Sequence, residues 1–248
     1  MEQLSGRVAV VTGAANGIGY AISEAFSAEG MRVVLADVVP DDLERAVAEL
    51  SATGAEVHGV VTDVTDPASV EALAEAVLDR FGSLSVAVNN AGIVNGGNCW
   101  ELSLEEWHRV IDVDLWGVIH GIRSFVPRIL ATGGEGHVVN TASLAAVDIV
   151  PGIAPYTVSK HGVLGLSDSL RAELAAAGAP VGVSVVMPGL TKSKMVPIGD
   201  RPASGVARNV VDALRRNRAY VFSDAESTRR VAARFGAIMD ARADVLEP

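Results

Sequence analysis

Short runs rich in Val, Ala and Leu alternate along this chain with longer stretches whose apolar residues recur every three or four positions. The short runs lie at 7–12, 32–37, 56–61, 84–89, 137–141 and 181–186. The helical patterns lie at 17–29, 41–51, 67–80, 104–130 and 155–177. Strands that are apolar at nearly every position are buried on both faces. Strand–helix alternation places helices on either side of a parallel sheet. The pattern therefore predicts one α/β domain over 1–248, a doubly wound parallel sheet with helices on both faces. Residues 190–204, with Pro197, Gly199 and Pro202, predict a loop over the ligand. A helix over 205–218, a short strand over 219–222 and a final helix over 225–241 follow, and 242–248 predicts a loose or partner-packed tail. In such sheets ligands sit beyond the carboxyl ends of the strands. Gly13, Asp37, Asp63, Asn89, Ser143 and Pro188 all fall at or just past such ends.

Chemistry enters with two clusters. Thr12-Gly13-Ala14-Ala15-Asn16-Gly17-Ile18-Gly19 follows the first strand and opens the first helix. Gly13 permits a tight turn, Gly17 and Gly19 permit close approach, and the helix N-terminus offers unpaired N–H groups to phosphates. This is the arrangement of a dinucleotide site in a Rossmann-type fold, although the spacing Gly-x3-Gly-x-Gly differs from the commoner Gly-x-Gly-x2-Gly. The second cluster is Tyr156-Thr-Val-Ser-Lys160, with Ser143 thirteen residues earlier. Residues four apart share a helix face, so the ammonium stands beside the phenol. A free phenol titrates near ~10, and a nearby cation favours its ionised form. Either cluster alone would be a turn or a helix surface.

Together, and with Asn89-Asn90-Ala91-Gly92 and Pro188-Gly189-Leu190-Thr191-Lys192-Ser193 in the same order, the motifs resemble the short-chain dehydrogenase/reductase family over almost the whole chain. The resemblance implies Ser143, Tyr156 and Lys160 as catalytic residues. Asp114 stands where the family usually has the asparagine of its catalytic set. Cofactor contacts are implied for Gly13, Asn16, Gly17, Ile18, Gly19, Asp63, Val64, Asn90, Ala91, Gly92, Tyr156, Lys160, Pro188, Gly189, Thr191 and Ser193, the last replacing a usual threonine. Asp37 lies 24 residues after Gly13, close to the offset of the acid that binds the adenosine ribose. Its carboxylate repels a 2′-phosphate, and Asn16 stands where phosphate-preferring relatives often carry a cation, so NAD is expected over NADP. Asp41 and Asp42 are expected to cap the second helix in place of Asp37, and Asp66 to cap the third.

The implied reaction interconverts a hydrophobic secondary alcohol and its ketone, with Tyr156 exchanging the hydroxyl proton. Two alternatives keep the fold: a non-redox relative catalysing dehydration or cyclisation, and a dinucleotide-sensing regulator. Val94, Leu144, Val147, Ile149, Val150, Leu190 and Met195 are candidate pocket walls, with Asn95, Asn98 and Asp148 as polar contacts. Relatives of this length imply a homodimer or homotetramer built on 104–130 and 155–177.

Composition narrows the partners. Twenty basic against thirty acidic residues give a net charge of −10, which disfavours nucleic acid, since binding it needs concentrated positive charge. Cys99 is the single cysteine, so no intrachain disulfide forms, and a cytoplasmic location is expected. The five histidines lack metal-ligand spacing. The start carries no apolar leader core, and no run approaches the ~18 apolar residues of a membrane span.

Overall fold

The computed structural model describes residues 1–223, 225 and 228–243. Among these residues seven strands make one fully parallel sheet: β1 (Val8–Thr12), β2 (Arg32–Asp37), β3 (Val57–Val61), β4 (Val86–Asn89), β5 (Gly136–Thr141), β6 (Val181–Met187) and β7 (Tyr220–Phe222), in the order β3-β2-β1-β4-β5-β6-β7. The order reverses between β1 and β4, which opens a crevice at their carboxyl ends. The helices are α1 (Gly17–Ala28), α2 (Pro40–Ala52), α3 (Pro67–Phe81), α4 (Leu104–Ile111), α5 (Gly117–Ala131), α6 (Ala154–Ala176), α7 (Ala203–Arg216) and α8 (Thr228–Ala243).

Strand alternation divides the core between the two faces. Ala9 and Val11 of β1 join Ile22 and Phe26 of α1, Leu43 of α2 and Val210 and Leu214 of α7. Val8 and Val10 face the other way, toward Leu73 and Val77 of α3, Phe125 and Ile129 of α5 and Leu170 of α6. Phe26 and Phe125 are fully buried, each contributing roughly 2–3 kcal/mol by removal from water. This is why both side-chain sets of β1 are apolar.

Element boundaries follow local chemistry. Asp66 caps α3 by accepting the Ala68 N–H, and Gly82 ends that helix in the left-handed region at φ 76°. Ser103 and Glu106 form a reciprocal capping box on α4. Three expectations need correction. Asp41 and Asp42 do not cap α2. Pro40 occupies its first turn, Val39 is the cap position, and the two acids sit inside the helix start, where they favour the dipole. The stretch 104–130 is not one regular helix: a π-helical turn, Asp112–Trp116, joins α4 to α5. The last helix begins at Thr228, and Arg242 and Ala243 continue it. The remainder of the expected tail lies outside the described residues.

Candidate active site

The turn after β1 is held from behind. The Asn90 side-chain amide donates to the carbonyls of Thr12 (3.0 Å) and Gly13 (3.2 Å), while the Asn90 N–H donates to Thr12 Oγ1 at 2.9 Å. Gly13 and Gly17 adopt φ of 63° and 58°, where a side chain is strained. A Cβ on Gly19 would stand 2.1 Å from the Gly13 carbonyl oxygen. Gly19 therefore brings α1 against the turn and does not itself line the cleft. The α1 cap, Asn16, makes no side-chain hydrogen bond to the helix. The helix start thus faces the cleft with N–H groups available to phosphate oxygens.

A cleft of about 570 Å³ runs across the carboxyl ends of the strands. Asp37, Asp63 and Val64 line one end; Gly13, Asn16, Gly17 and Ile18 line its floor. Asn90, Ala91 and Gly92 line the middle; Ser143, Tyr156 and Lys160 line the far end. Pro188, Gly189, Thr191 and Ser193 come over from β6. An acid at the end of β2, a glycine turn at a helix start and an open path to the Tyr156–Lys160 pair are a donor and acceptor set that fits a dinucleotide.

Asp37 does structural service as well. Its Oδ2 accepts the Ala15 N–H at 3.0 Å and its Oδ1 the Val39 N–H at 3.1 Å, tying the glycine turn to the end of β2. Asp63 Oδ1 accepts from the N–H (2.9 Å) and hydroxyl (2.8 Å) of Thr65. It shapes the β3–α3 turn and leaves the capping of α3 to Asp66.

At the far end, Lys160 Nζ lies 5.2 Å from the centroid of the Tyr156 ring and donates to the Thr141 carbonyl at 3.1 Å. Ser143, just past β5, accepts the Ala145 N–H at 3.1 Å. Asp114 lies behind the cleft wall, fully buried in the π-helical turn. Its Oδ1 accepts the Ile93 N–H at 2.8 Å, and its Oδ2 is 3.0 Å from Lys160 Nζ. Burial pushes the Asp114 carboxyl above its ordinary range, against the pull of Lys160 and the Ile93 N–H. Burial acts on Lys160 in the opposite sense, yet the charges of Asp114 and Tyr156 outweigh it and hold the ammonium above its ordinary value. At 3.0 Å, direct attraction favours the charged pair.

The pocket walls differ from expectation. Val94 and Met195 line the cleft, joined by Ile93, Val113 and Val196. Leu144 and Val147 pack into a cluster beside β6, whereas Ile149, Val150 and Leu190 are exposed and outside the lining. Asp148 is ion-paired with Arg230 of α8 at 2.7 Å, and Asn98 donates to Glu101. Asn95 is also outside the lining. Arg109 lines the cleft unforeseen. Its signal was its place one helical turn before Val113, but the π turn hides which face that stripe presents. Lys194 also lines the cleft and pairs with Asp42 of α2, fastening the 190–204 loop to the opposite bank.

A sheet reversed at β1/β4, with a glycine turn and a Tyr–Lys helix opening on one crevice, defines a dinucleotide-dependent oxidoreductase architecture. The short chain dehydrogenase family model matches residues 7–200, and the chain belongs to that family. A 1-deoxy-11-beta-hydroxypentalenate dehydrogenase of Streptomyces avermitilis is 43% identical over 239 residues, 92% of this chain and 88% of that protein. The crystal structure of a short chain dehydrogenase/reductase from Burkholderia phymatum in complex with NAD superposes with a TM-score of 0.93 at 35% identity, covering 96% of each chain. An actinorhodin polyketide ketoreductase with NADPH gives 0.83 at 30%, covering 90% of this chain and 97% of the other. Among the described residues no helix is long and apolar enough to cross a membrane, and no cluster of three metal-binding side chains occurs.

Proposed function

We propose that the chain is an NAD-dependent dehydrogenase that interconverts a hydrophobic secondary alcohol and its ketone, working as one dinucleotide-binding and catalytic unit. The observation that carries this reading is the placement of Lys160 Nζ 5.2 Å from the Tyr156 ring, at the end of the cleft shared with Ser143. Bound nicotinamide dinucleotide supplies a hydride acceptor or donor. Asp37 would hold the adenosine ribose, the α1 N-terminus the pyrophosphate, and Asp63 and Val64 the adenine.

During oxidation the alcohol O–H bond breaks and its proton passes to the Tyr156 oxygen, while the carbinol C–H electron pair leaves as hydride. Ser143 hydrogen-bonds the substrate oxygen and keeps it beside Tyr156. Lys160 would stabilise the phenolate and, lining the same cleft, would help hold the nicotinamide ribose. The apolar wall of Ile93, Val94, Val113, Met195 and Val196 suits a bulky, mostly hydrocarbon substrate. The hydroxypentalenate substrate named for the Streptomyces relative supports an alcohol of that kind. The carboxylate of Asp37, the neutral Asn16 and the uncharged Val38 and Val39 beside it support NAD.

The test is the absorbance of reduced nicotinamide as the protein meets NAD and a panel of cyclic terpenoid, steroid and polyketide-like alcohols. Turnover is expected with NAD and at least one such alcohol. Binding of NAD without reduction by any of them would favour the sensing or non-redox alternatives. We further propose a cytoplasmic homodimer or homotetramer associating through α4–α5 and α6, where Leu104, Trp116 and Val158 stand exposed. Sedimentation of the purified chain tests its assembly; a monomer at micromolar concentration would refute it.

A further inference from the structure

Asp114 is the buried acid of the site, and groups from three elements face it or its lysine partner. From α6 come Lys160, paired with it, and Tyr156, beside Lys160. From the segment after β4 come the Ile93 N–H and Gly92, where a Cβ would stand 3.2 Å from Asp114 Oδ2 and 3.4 Å from Lys160 Nζ. From β5 comes the Thr141 carbonyl, which accepts from Lys160. Lys160 and Tyr156 are the titratable groups among these. The lysine approaches Oδ2 at 3.0 Å but outside good hydrogen-bonding angles, so the contact is mainly one of charge. An asparagine here could accept the Ile93 N–H equally well. Its amide N–H groups would then face an ammonium, donor against donor. What aspartate adds is the charge alone.

We propose that Asp114 is a positioning residue for proton transfer, withholding part of the lysine's field from Tyr156 by pairing with it directly. The proposal rests on the dehydrogenase reading of this site. Lys160 is held by its hydrogen bond to the Thr141 carbonyl and by the charge of Asp114, with the Tyr156 ring centroid 5.2 Å from its Nζ. Its geometry is thereby fixed. The pair is formally neutral, however, so Tyr156 sees the difference between a near cation and a slightly more distant anion. Asp114 exchanges no atom with the substrate: the alcohol proton goes to Tyr156, and the hydride electron pair to the nicotinamide. Asp114 instead acts on the balance between Tyr156 and the base form that receives that proton.

The magnitude follows from Coulomb's law. A unit charge ~7–8 Å from the phenol oxygen at an effective dielectric of ~20 moves its titration by on the order of 1.5 pH units, and water lessens this. The chain contains three tyrosines, Tyr20, Tyr156 and Tyr220. NMR of protein carrying isotope-labelled tyrosine therefore gives three ring signals, and the Tyr156→Phe variant identifies the one that matters. In Asp114→Asn the Tyr156 signal is expected to titrate roughly 0.5–1.5 pH units lower than in the wild type. The acidic limb of kcat against pH in alcohol oxidation should fall with it, provided proton transfer limits the rate. The NMR arm needs no turnover, so an inactive protein leaves this inference readable while the dehydrogenase reading fails separately.

An unmoved or upward-shifted Tyr156 titration overturns the proposal. An upward shift would mean that the unpaired lysine loses its proton to burial and with it the pull on the phenol. Should the amide variant not fold, Asp114→Ser, which keeps an acceptor for the Ile93 N–H, repeats the measurement. Failure of both to fold overturns the proposal too, by assigning Asp114 to the fold.

Discussion

Tyr156 and Asp37 sit at opposite ends of the cleft, and substitutions there should separate chemistry from binding. Tyr156→Phe removes the hydroxyl that carries the proton and leaves the glycine turn and its Asn90 bonds untouched. Turnover should fall by roughly two to four orders of magnitude, the usual worth of a positioned acid or base, while NAD affinity measured by titration stays nearly constant. Retention of more than about a tenth of wild-type turnover, far outside that range, would exclude Tyr156 as the proton carrier. Asp37→Ser should act differently, because Asp37 also anchors the Ala15 and Val39 N–H groups. Removing the carboxylate relieves repulsion of a 2′-phosphate and loosens the turn at once. Titration of both cofactors should show NAD binding weakened and the gap to NADP narrowed; equal wild-type affinities would refute the assignment to NAD. The placements of Tyr156, Lys160 and Asp37 were legible because each depends on a short spacing, i to i+4 or strand end to turn. The direct pairing of Asp114 with Lys160 was not, since 46 residues separate them and no local pattern encodes their contact.

Elements carry the same division between local and distant causes. The order of strands and helices was readable from the alternation of apolar runs with amphipathic stretches, and the doubly wound sheet followed from it. The π-helical turn at Asp112–Trp116 escaped detection because the apolar periodicity continues within α4 and within α5, and the widened turn changes only the phase between them. The start of α2 was misread because Pro40 decides it, fixing φ for the first turn, while Asp41 and Asp42 resemble caps only by composition. The contact of α1 with the β1 turn is the element-level feature most open to test. A Cβ on Gly19 would meet the Gly13 carbonyl at 2.1 Å and the Asn90 amide nitrogen at 2.6 Å, and backbone cannot yield as a flexible side chain can. Gly19→Ala should therefore push α1 off the turn, at a cost of about 1–3 kcal/mol from overpacking. Thermal unfolding should show the lost stability, and titration a weakened NAD affinity. Unchanged NAD affinity in the folded variant would mean that the turn does not depend on α1 for its shape.

The stability of the whole molecule should depend on acidity through a residue far from the cleft. His137 is the second residue of β5, 1% exposed, and its Nε2 lies 2.8 Å from Ser184 Oγ on β6. The Ser184 hydroxyl donates to the Arg218 carbonyl at 2.6 Å, so Nε2 is the donor in the histidine–serine bond. Burial, reinforced by the charges of the N-terminal amine and then Arg171, lowers the titration of His137 from 6.5 to about 4. The folded chain thus refuses a proton that the unfolded chain accepts. Above the unfolded value near ~6.5 neither state carries the proton and the full stability is present. As pH falls below it, stability drops, and the loss levels off near the folded value of about 4. Between pH 7 and pH 5 this one residue should remove roughly 2 kcal/mol, a sizeable fraction of the ~5–15 kcal/mol that holds a typical fold. Urea unfolding of the wild type at the two pH values measures the loss, and His137→Gln, which keeps a donor for Ser184, should flatten the dependence. An equally steep loss in His137→Gln would move the acid sensitivity to other groups and leave β5 with no part in it.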